Sequence, residues 1–307
     1  MKSIIKWVGG KAQLIQDIFN LFPMEMNNYH EPFIGGGSVL LELLCRIRNK
    51  KMFVHGKIYA YDSNESLIYM YQNIQKKPSE VLHHIQNIKR EFESIEKETE
   101  KEEEEKEITE EKEKKKKKIQ PKTMEEVHSK EAYYYYMRHL YNTSEKNSTF
   151  SSALFIFLNK TCFRGVYRVS SNGFNVPYGN NKHPEIINED HLREFHQLII
   201  PVEFNILPFH ESLLRVKEND FVYLDPPYVP EKETSFVSFT EHGFTKDDHI
   251  QLFQLVKCLP CAWLMSNSCT QMVQESFTEY HMDIINVRRS IHSKNPGHKT
   301  DEVLIYK

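Results

Sequence analysis

Apolar residues recur along this chain in two rhythms. Short runs rich in β-branched and aromatic residues predict strands at 29–33, 58–62, 202–207, 221–224, 261–265, 281–287 and 302–306. Apolar helical patterns fall at 38–47, between the first two strands, and at 246–256, between two later ones. This strand–helix alternation predicts an open α/β sheet with ligands at the carboxyl ends of its strands. Residues 76–182 break the rhythm. Val81, Ile85, Ile88, Phe92 and Ile95 are spaced 4, 3, 4, 3, the stripe of an amphipathic helix, with Ser79 after Pro78 as its expected N-cap. The expected organisation is a discontinuous domain, 1–75 and 183–307, holding a mostly helical insert at 76–182.

Charge changes that picture in one place. Of the 30 residues at 89–118, 13 are Glu and 11 are Lys or Arg, and past Ile95 the apolar stripe stops. This low-complexity run is expected to be a solvated spacer; the five lysines 114–118 have their field largely cancelled by neighbouring glutamates. Across all 307 residues the net charge is −3, mild evidence against a nucleic-acid binder unless basic residues cluster locally. They do: Lys160, Arg164 and Arg168 alternate with Phe163 and Tyr167, and Arg288, Arg289, Lys294 and Lys299 gather near the C-terminus. An aromatic content of 12% excludes wholesale disorder. No run of about 18 apolar residues predicts a membrane span. The start lacks a signal core, and five irregularly spaced Cys suit a reducing compartment, so a soluble intracellular protein is expected. Cys258-Leu259-Pro260-Cys261 lacks further ligands at zinc spacing and reads as structural, so no metal is expected.

Chemistry concentrates in two segments. In Glu31-Pro32-Phe33-Ile34-Gly35-Gly36-Gly37-Ser38, a strand end meets three glycines and then an apolar helix. Glycines there permit a tight turn and close approach to a ligand. Asp62, ending the next strand, is placed to accept hydrogen bonds from ribose hydroxyls. A nucleoside-containing cofactor fits this set, although a plain tight turn fits the glycines alone equally well. Leu40 stands where a dinucleotide fingerprint needs its third glycine. Gly9-Gly10-Lys11 is no phosphate loop, because Ile5 and Ala12 occupy positions that need Gly and Ser/Thr. In the second segment, Asp225-Pro226-Pro227-Tyr228 follows an apolar strand that two prolines must end. A carboxylate, a proline carbonyl outside any ladder and an aromatic ring then converge, a set that suits a planar exocyclic amine.

At this point the chain resembles the Dam-type adenine-specific DNA N6-methyltransferases, the D12 class of the alpha motif order. The resemblance rests on Lys6-Trp7-Val8-Gly9-Gly10-Lys11, on Glu31-Pro32-Phe33 with its glycines, and on Asp225-Pro226-Pro227-Tyr228. It rests also on the run from Asn159 to Arg168 and on Phe174-Asn175-Val176-Pro177-Tyr178-Gly179, all in that family's order. It implies a Rossmann-like S-adenosylmethionine-dependent methyltransferase sheet, with an inserted helical target-recognition domain that carries a β-hairpin. The cofactor set it implies is Trp7, Lys11, Glu31, Phe33, Gly35, Gly37, Asp62 and Asp225, with Phe33 enclosing the cofactor's adenine. Asp225, Pro226, Pro227 and Tyr228 form the implied transfer centre. Asn159, Lys160, Arg164, Tyr167, Arg168 and Asn175 are the implied DNA contacts, joined by Arg138 from a helix that also carries Tyr135, Tyr141 and Asn142. One departure is Arg164, where the family usually has Asn; that touches the DNA sequence read, not the chemistry.

The resemblance further implies double-stranded DNA as partner, an adenine flipped from the duplex, GATC as the expected site, a monomer, and a cognate restriction endonuclease as a candidate partner. Three rivals remain at this stage: methylation of RNA or of a protein amide, an oxidoreductase on a nucleotide fold, and an inactive DNA-binding homologue. Ser266-Asn267-Ser268 reads equally well as a wall of the adenine pocket or as a loop.

Overall fold

The computed structural model describes residues 1–106, 121–181, 184–230, 243–288 and 299–307. The charged run beyond Lys106, and with it Arg289, His292, Lys294 and His298, lies outside them.

The chain divides into two units: Met1–Ser3, Gly9–Ile68 and Leu198–Lys307 make the first, Ile4–Val8 and Tyr69–Gln197 the second. The first holds a seven-stranded sheet of β1 (Tyr29–Glu31), β2 (Ile58–Asp62), β3 (Val202–Ile206), β4 (Phe221–Leu224), β5 (Ala262–Ser268), β6 (His281–Arg288) and β7 (Lys299–Tyr306). Their spatial order is 3-2-1-4-5-7-6; β1 to β5 pair in parallel, and β7 runs antiparallel to both β5 and β6. This is a mixed α/β architecture on a mostly parallel sheet. β5 continues to Ser268, so Ser266-Asn267-Ser268 is strand, not loop, because β7 pairs with it residue for residue from Glu302 onward.

Strand order reverses between β1 and β4, the place where a doubly wound sheet opens a crevice at its carboxyl edge. Every residue of β4 is buried, as expected for a parallel strand covered on both faces. Val222, Leu224, Trp263, Met265, Val303 and Ile305 form the sheet's part of one core. Before β1 comes α1 (Ile15–Asn20), after it α2 (Ser38–Arg48), and after β2 α3 (Glu65–Lys76). Leu40, the residue that broke the dinucleotide pattern, is fully buried on α2. At the opposite, amino edge Asp220 locks β1 to β4: its carboxylate accepts hydrogen bonds from the Asn28 N–H (3.1 Å) and side chain (2.8 Å), and it faces His30 Nε2 at 3.1 Å.

The second unit contains α4 (Pro78–Lys106), α5 (Lys130–Thr143), α6 (Thr149–Thr161) and most of α7 (Glu189–Ile199). Pro78 opens α4 one residue before the expected cap, suiting a position whose N–H has no helical partner. The stripe Val81, Ile85, Ile88, Phe92 and Ile95 is buried as its spacing required. Phe92 and Tyr133 meet Phe157 of α6 edge-on at 5.4 and 5.8 Å, so α6 is buried almost all round. The unit is wider than 76–182 because the end of α3 and α7 join it. Tyr71 stacks on Phe195 (6.1 Å), and His196 Nδ1 donates to the Ile74 carbonyl (3.0 Å). The last helices, α8 (Phe209–Leu213), α9 (Lys246–Lys257) and α10 (Gln271–Ser276), belong to the first unit. No described helix is long and apolar enough to cross a membrane.

Candidate active site

The first unit gathers its chemistry where β1, β2 and β4 end. Just past β1, Gly35 and Gly37 hold φ of 47° and 69°, left-handed values that cost other residues about 1–2 kcal/mol each. Gly37 is the residue from which α2 starts. Gly35 N–H donates to Asp62 Oδ2 (3.2 Å) and Asn64 N–H to Asp62 Oδ1 (3.0 Å), which fixes the carboxylate beside the glycine turn. Burial lifts the Asp62 carboxyl to about 6 against the pull of these donors. Phe33 stacks on Phe209 at 5.8 Å and meets Phe244 edge-on at 6.1 Å. Glu31 points inward: it is 2% exposed, accepts from Tyr29 Oη (2.7 Å), and burial pushes its carboxyl to about 8.

Lys11 comes to the end of β4. Its backbone N–H donates to Ser38 Oγ on α2 (3.1 Å) and its ammonium to the Gly9 carbonyl (2.7 Å). The ammonium also pairs with Asp225 Oδ1 at 2.7 Å, with Lys11 only 5% exposed. It lies over the Tyr228 ring, 4.8 Å from its centre. Burial raises the Asp225 carboxyl above the usual range and the Lys11 charge opposes that rise. Asp225 Oδ2 has no partner among the described residues. The tetrapeptide is held from the neighbouring strands. Tyr228 Oη donates to Glu302 Oε2 on β7 (2.7 Å). Asn267 Oδ1 accepts from the Val229 N–H (3.1 Å), and Ser268 Oγ donates to the Val229 carbonyl (2.5 Å). Asn267 Nδ2 is buried with no partner among the described residues.

Glu302 is the residue that sequence reasoning missed. Glu302, next to Asp301 where the apolar half of β7 begins, carries no spacing signal, and only the β5–β7 pairing brings it opposite Ser268 beside the tetrapeptide.

The remaining expected residues lie in the second unit. Trp7 stacks on Tyr167 at 5.6 Å. Asn159 is 3% exposed; its side chain accepts from the Lys6 N–H (2.7 Å) and donates to the Lys6 (2.8 Å) and Gly165 (3.2 Å) carbonyls. It therefore braces the chain from inside, and with Lys160 it belongs to the last turn of α6 rather than to a hairpin. The paired hairpin residues are Val169–Ser170 against Gly173–Phe174. Its base is closed by Arg168 and Asn175: Arg168 Nε donates to Asn175 Oδ1 (2.7 Å) and Asn175 N–H to the Arg168 carbonyl (3.1 Å). Asn142 of α5 grips the same strand by accepting from the Phe174 N–H (2.9 Å) and donating to its carbonyl (3.0 Å). Arg138 donates to the Val176 carbonyl (3.2 Å). Arg164 is exposed, lies over the Phe163 ring and holds φ 57°.

Comparison with known proteins gives one answer. The family described as D12 class N6 adenine-specific DNA methyltransferase matches the chain over residues 7–291. The type II methyltransferase M.MjaIII of Methanocaldococcus jannaschii is 32% identical, over 84% of this chain and 80% of that one. The type II methyltransferase M1.LlaDCHI of Lactococcus lactis is 27% identical, over 99% and 95%. The DNA adenine methylase of Escherichia coli is also 27% identical, over 100% and 95%.

Proposed function

The chain belongs to the D12 class of N6 adenine-specific DNA methyltransferases, and from that premise we propose that it transfers a methyl group from S-adenosylmethionine to an adenine flipped out of duplex DNA, at the centre formed by Asp225, Pro226, Pro227 and Tyr228. The observation that carries this reading is the contact of buried Lys11 with Asp225 and the Tyr228 ring at the carboxyl end of β4.

The donor set fits the cofactor. Asp62 accepts the Gly35 N–H on Oδ2 and the Asn64 N–H on Oδ1, and a carboxylate with about four lone-pair sites keeps acceptor capacity for ribose hydroxyls. Gly35 and Gly37 present bare backbone beside it, with Phe33 as the apolar wall. Lys11, Glu31 and Trp7 complete the cofactor set on this reading. When bound, S-adenosylmethionine would supply an electrophilic methyl group on a sulfonium sulfur, which keeps the electron pair of the broken S–methyl bond and departs as a neutral thioether.

The residues' own work concerns the amine. Adenine N6 is a weak nucleophile because its lone pair is delocalised into the ring. Asp225 Oδ2 and the Pro226 carbonyl accept its two N–H bonds, which favours a pyramidal nitrogen with a localised lone pair. Lys11 keeps Asp225 ionised and fixes Oδ1, so that Oδ2 faces the base. Tyr228 stacks on the ring and holds the angle of approach. As N6 gains its new bond it becomes cationic, and its surplus proton leaves to Asp225 or to water.

The second unit is the target-recognition part in this proposal. Arg164, Arg168, Asn175, Tyr167, Lys160 and Arg138 would contact DNA, and Asn159 would act by bracing Lys6 and Gly165. GATC is the first site to test. The direct experiment is methyl transfer from labelled S-adenosylmethionine to unmethylated genomic DNA, with modified positions read by sequencing. N6-methyladenine in one short recurring motif supports the proposal; cofactor binding with no label on DNA overturns it.

A further inference from the structure

We propose that Glu302 is a positioning residue for methyl transfer, acting through the hydroxyl of Tyr228. The inference rests on the functional reading above and extends it to a strand that the Asp-Pro-Pro-Tyr segment does not belong to.

Three observations meet at this acid. First, Tyr228 Oη donates to Glu302 Oε2 at 2.7 Å, a charge-assisted contact of the stronger kind. Second, Glu302 is fixed by the sheet, not by a loop: it pairs with Ser268 in the β5–β7 register, flanked by buried Val303. Third, Ser268 and its neighbour Asn267 hold the Val229 carbonyl and N–H, so the peptide after Tyr228 is pinned by the same pair of strands. A tyrosine ring whose backbone and hydroxyl are both anchored has little freedom left about χ1 and χ2. Burial and the nearby carboxylates keep the phenol protonated, so it remains a donor throughout the working range.

An aromatic ring that must stack on a flipped base gains from such a clamp. Without the Oη contact the ring explores other tilts, and the base it carries meets the methyl donor at a spread of angles. Alignment of the reacting atoms is the quantity lost, so the effect belongs in kcat and not in the affinity for DNA. Glu302 does a second thing from the same place: its negative charge opposes ionisation of Asp225.

The test is a set of variants in the full chain: Tyr228→Phe, Glu302→Ala, Glu302→Gln and Tyr228→Phe with Glu302→Ala. Each is read for kcat, for KM with an unmethylated DNA duplex carrying GATC or the motif found by sequencing, and for melting temperature. Glu302→Ala and Tyr228→Phe are each expected to lower kcat by roughly 3- to 10-fold with DNA KM unchanged. The double variant should be no slower than the slower single one, because both remove the same contact. Glu302→Gln keeps an acceptor, so it should recover most of the rate and move the acid limb of the pH–rate profile to lower pH. Losses that multiply in the double variant, or a glutamine variant as slow as alanine, would overturn the positioning role. Should Glu302→Ala not fold, Tyr228→Phe and Glu302→Gln still decide: full activity in the phenylalanine variant removes the clamp. A wild-type chain that transfers no methyl to DNA overturns the functional reading itself, a different result from an active wild type with independent losses.

Discussion

Lys11 and Asp225 show at the scale of one residue pair how burial is turned to chemistry. A buried ammonium is costly alone and is stable here because the carboxylate and the Gly9 carbonyl answer it. Asp225→Ala should therefore lower transfer by about 100-fold or more while leaving DNA binding within a few-fold, measured as labelled methyl incorporated beside a gel-shift titration; equal loss of both would contradict the role. The pH dependence has a definite sign. The working form of Asp225 is the anion, so transfer falls as pH drops through its raised pKa. Lys11→Met removes the charge that holds that pKa down, and the acid limb of kcat should shift upward. Glu31 acts on stability instead. Its folded pKa, about 8, lies above the unfolded value near 4.5. The native state then binds the extra proton between those values, and stability declines as pH rises through that window. Glu31→Gln should flatten the decline, compared by urea unfolding at pH 5 and pH 8. Asp225 was legible in the sequence because two prolines announce a strand end beside an acid. Glu302 was not, because its partner is 74 residues away.

Among elements, the turn from β1 into α2 was readable, since three glycines before an apolar helix have few other uses. The structure adds which of them matter: Gly35 and Gly37 occupy left-handed backbone. Gly37→Val should cost about 1–2 kcal/mol of stability in chemical denaturation and weaken cofactor binding further. α4 shows the reverse case. Its apolar stripe gave the buried face as far as Ile95, and the helix carries on to Lys106 without it. Deleting 98–118 should leave transfer within about two-fold of wild type if the run is a solvated spacer. A large loss from a deletion that melts normally would show that the run contributes to DNA binding. Boundaries were less legible in the basic segment: Lys160 groups with Arg164 and Arg168 in sequence, yet α6 claims it together with Asn159.

For the whole molecule, the function proposed above puts the question of which DNA is read on the second unit, and Arg164 is where it can be asked. The residue holds φ 57°, a conformation asparagine adopts far more readily than arginine. Arg164→Asn should thus be neutral or stabilising, by up to about 1 kcal/mol, yet change the methylated motif when positions are mapped by sequencing. An unchanged motif would remove Arg164 from the reading set. Sequence by itself determined the alternation of strands and helices, the glycine turn, the terminal Asp-Pro-Pro-Tyr and the family. Each of these is a local pattern of period, backbone freedom or adjacent chemistry, written in consecutive residues. Tertiary structure decided which groups face one another. The strand order placed β1 beside β4 and β7 beside β5, and so set Lys11 on Asp225, Glu302 on Tyr228 and Asn267 under Val229. It also turned Glu31 and Asn159 inward. Those pairings join residues 38 to 214 positions apart, and what selects them is the burial of apolar faces over the whole sheet, a sum that no stretch of consecutive residues contains.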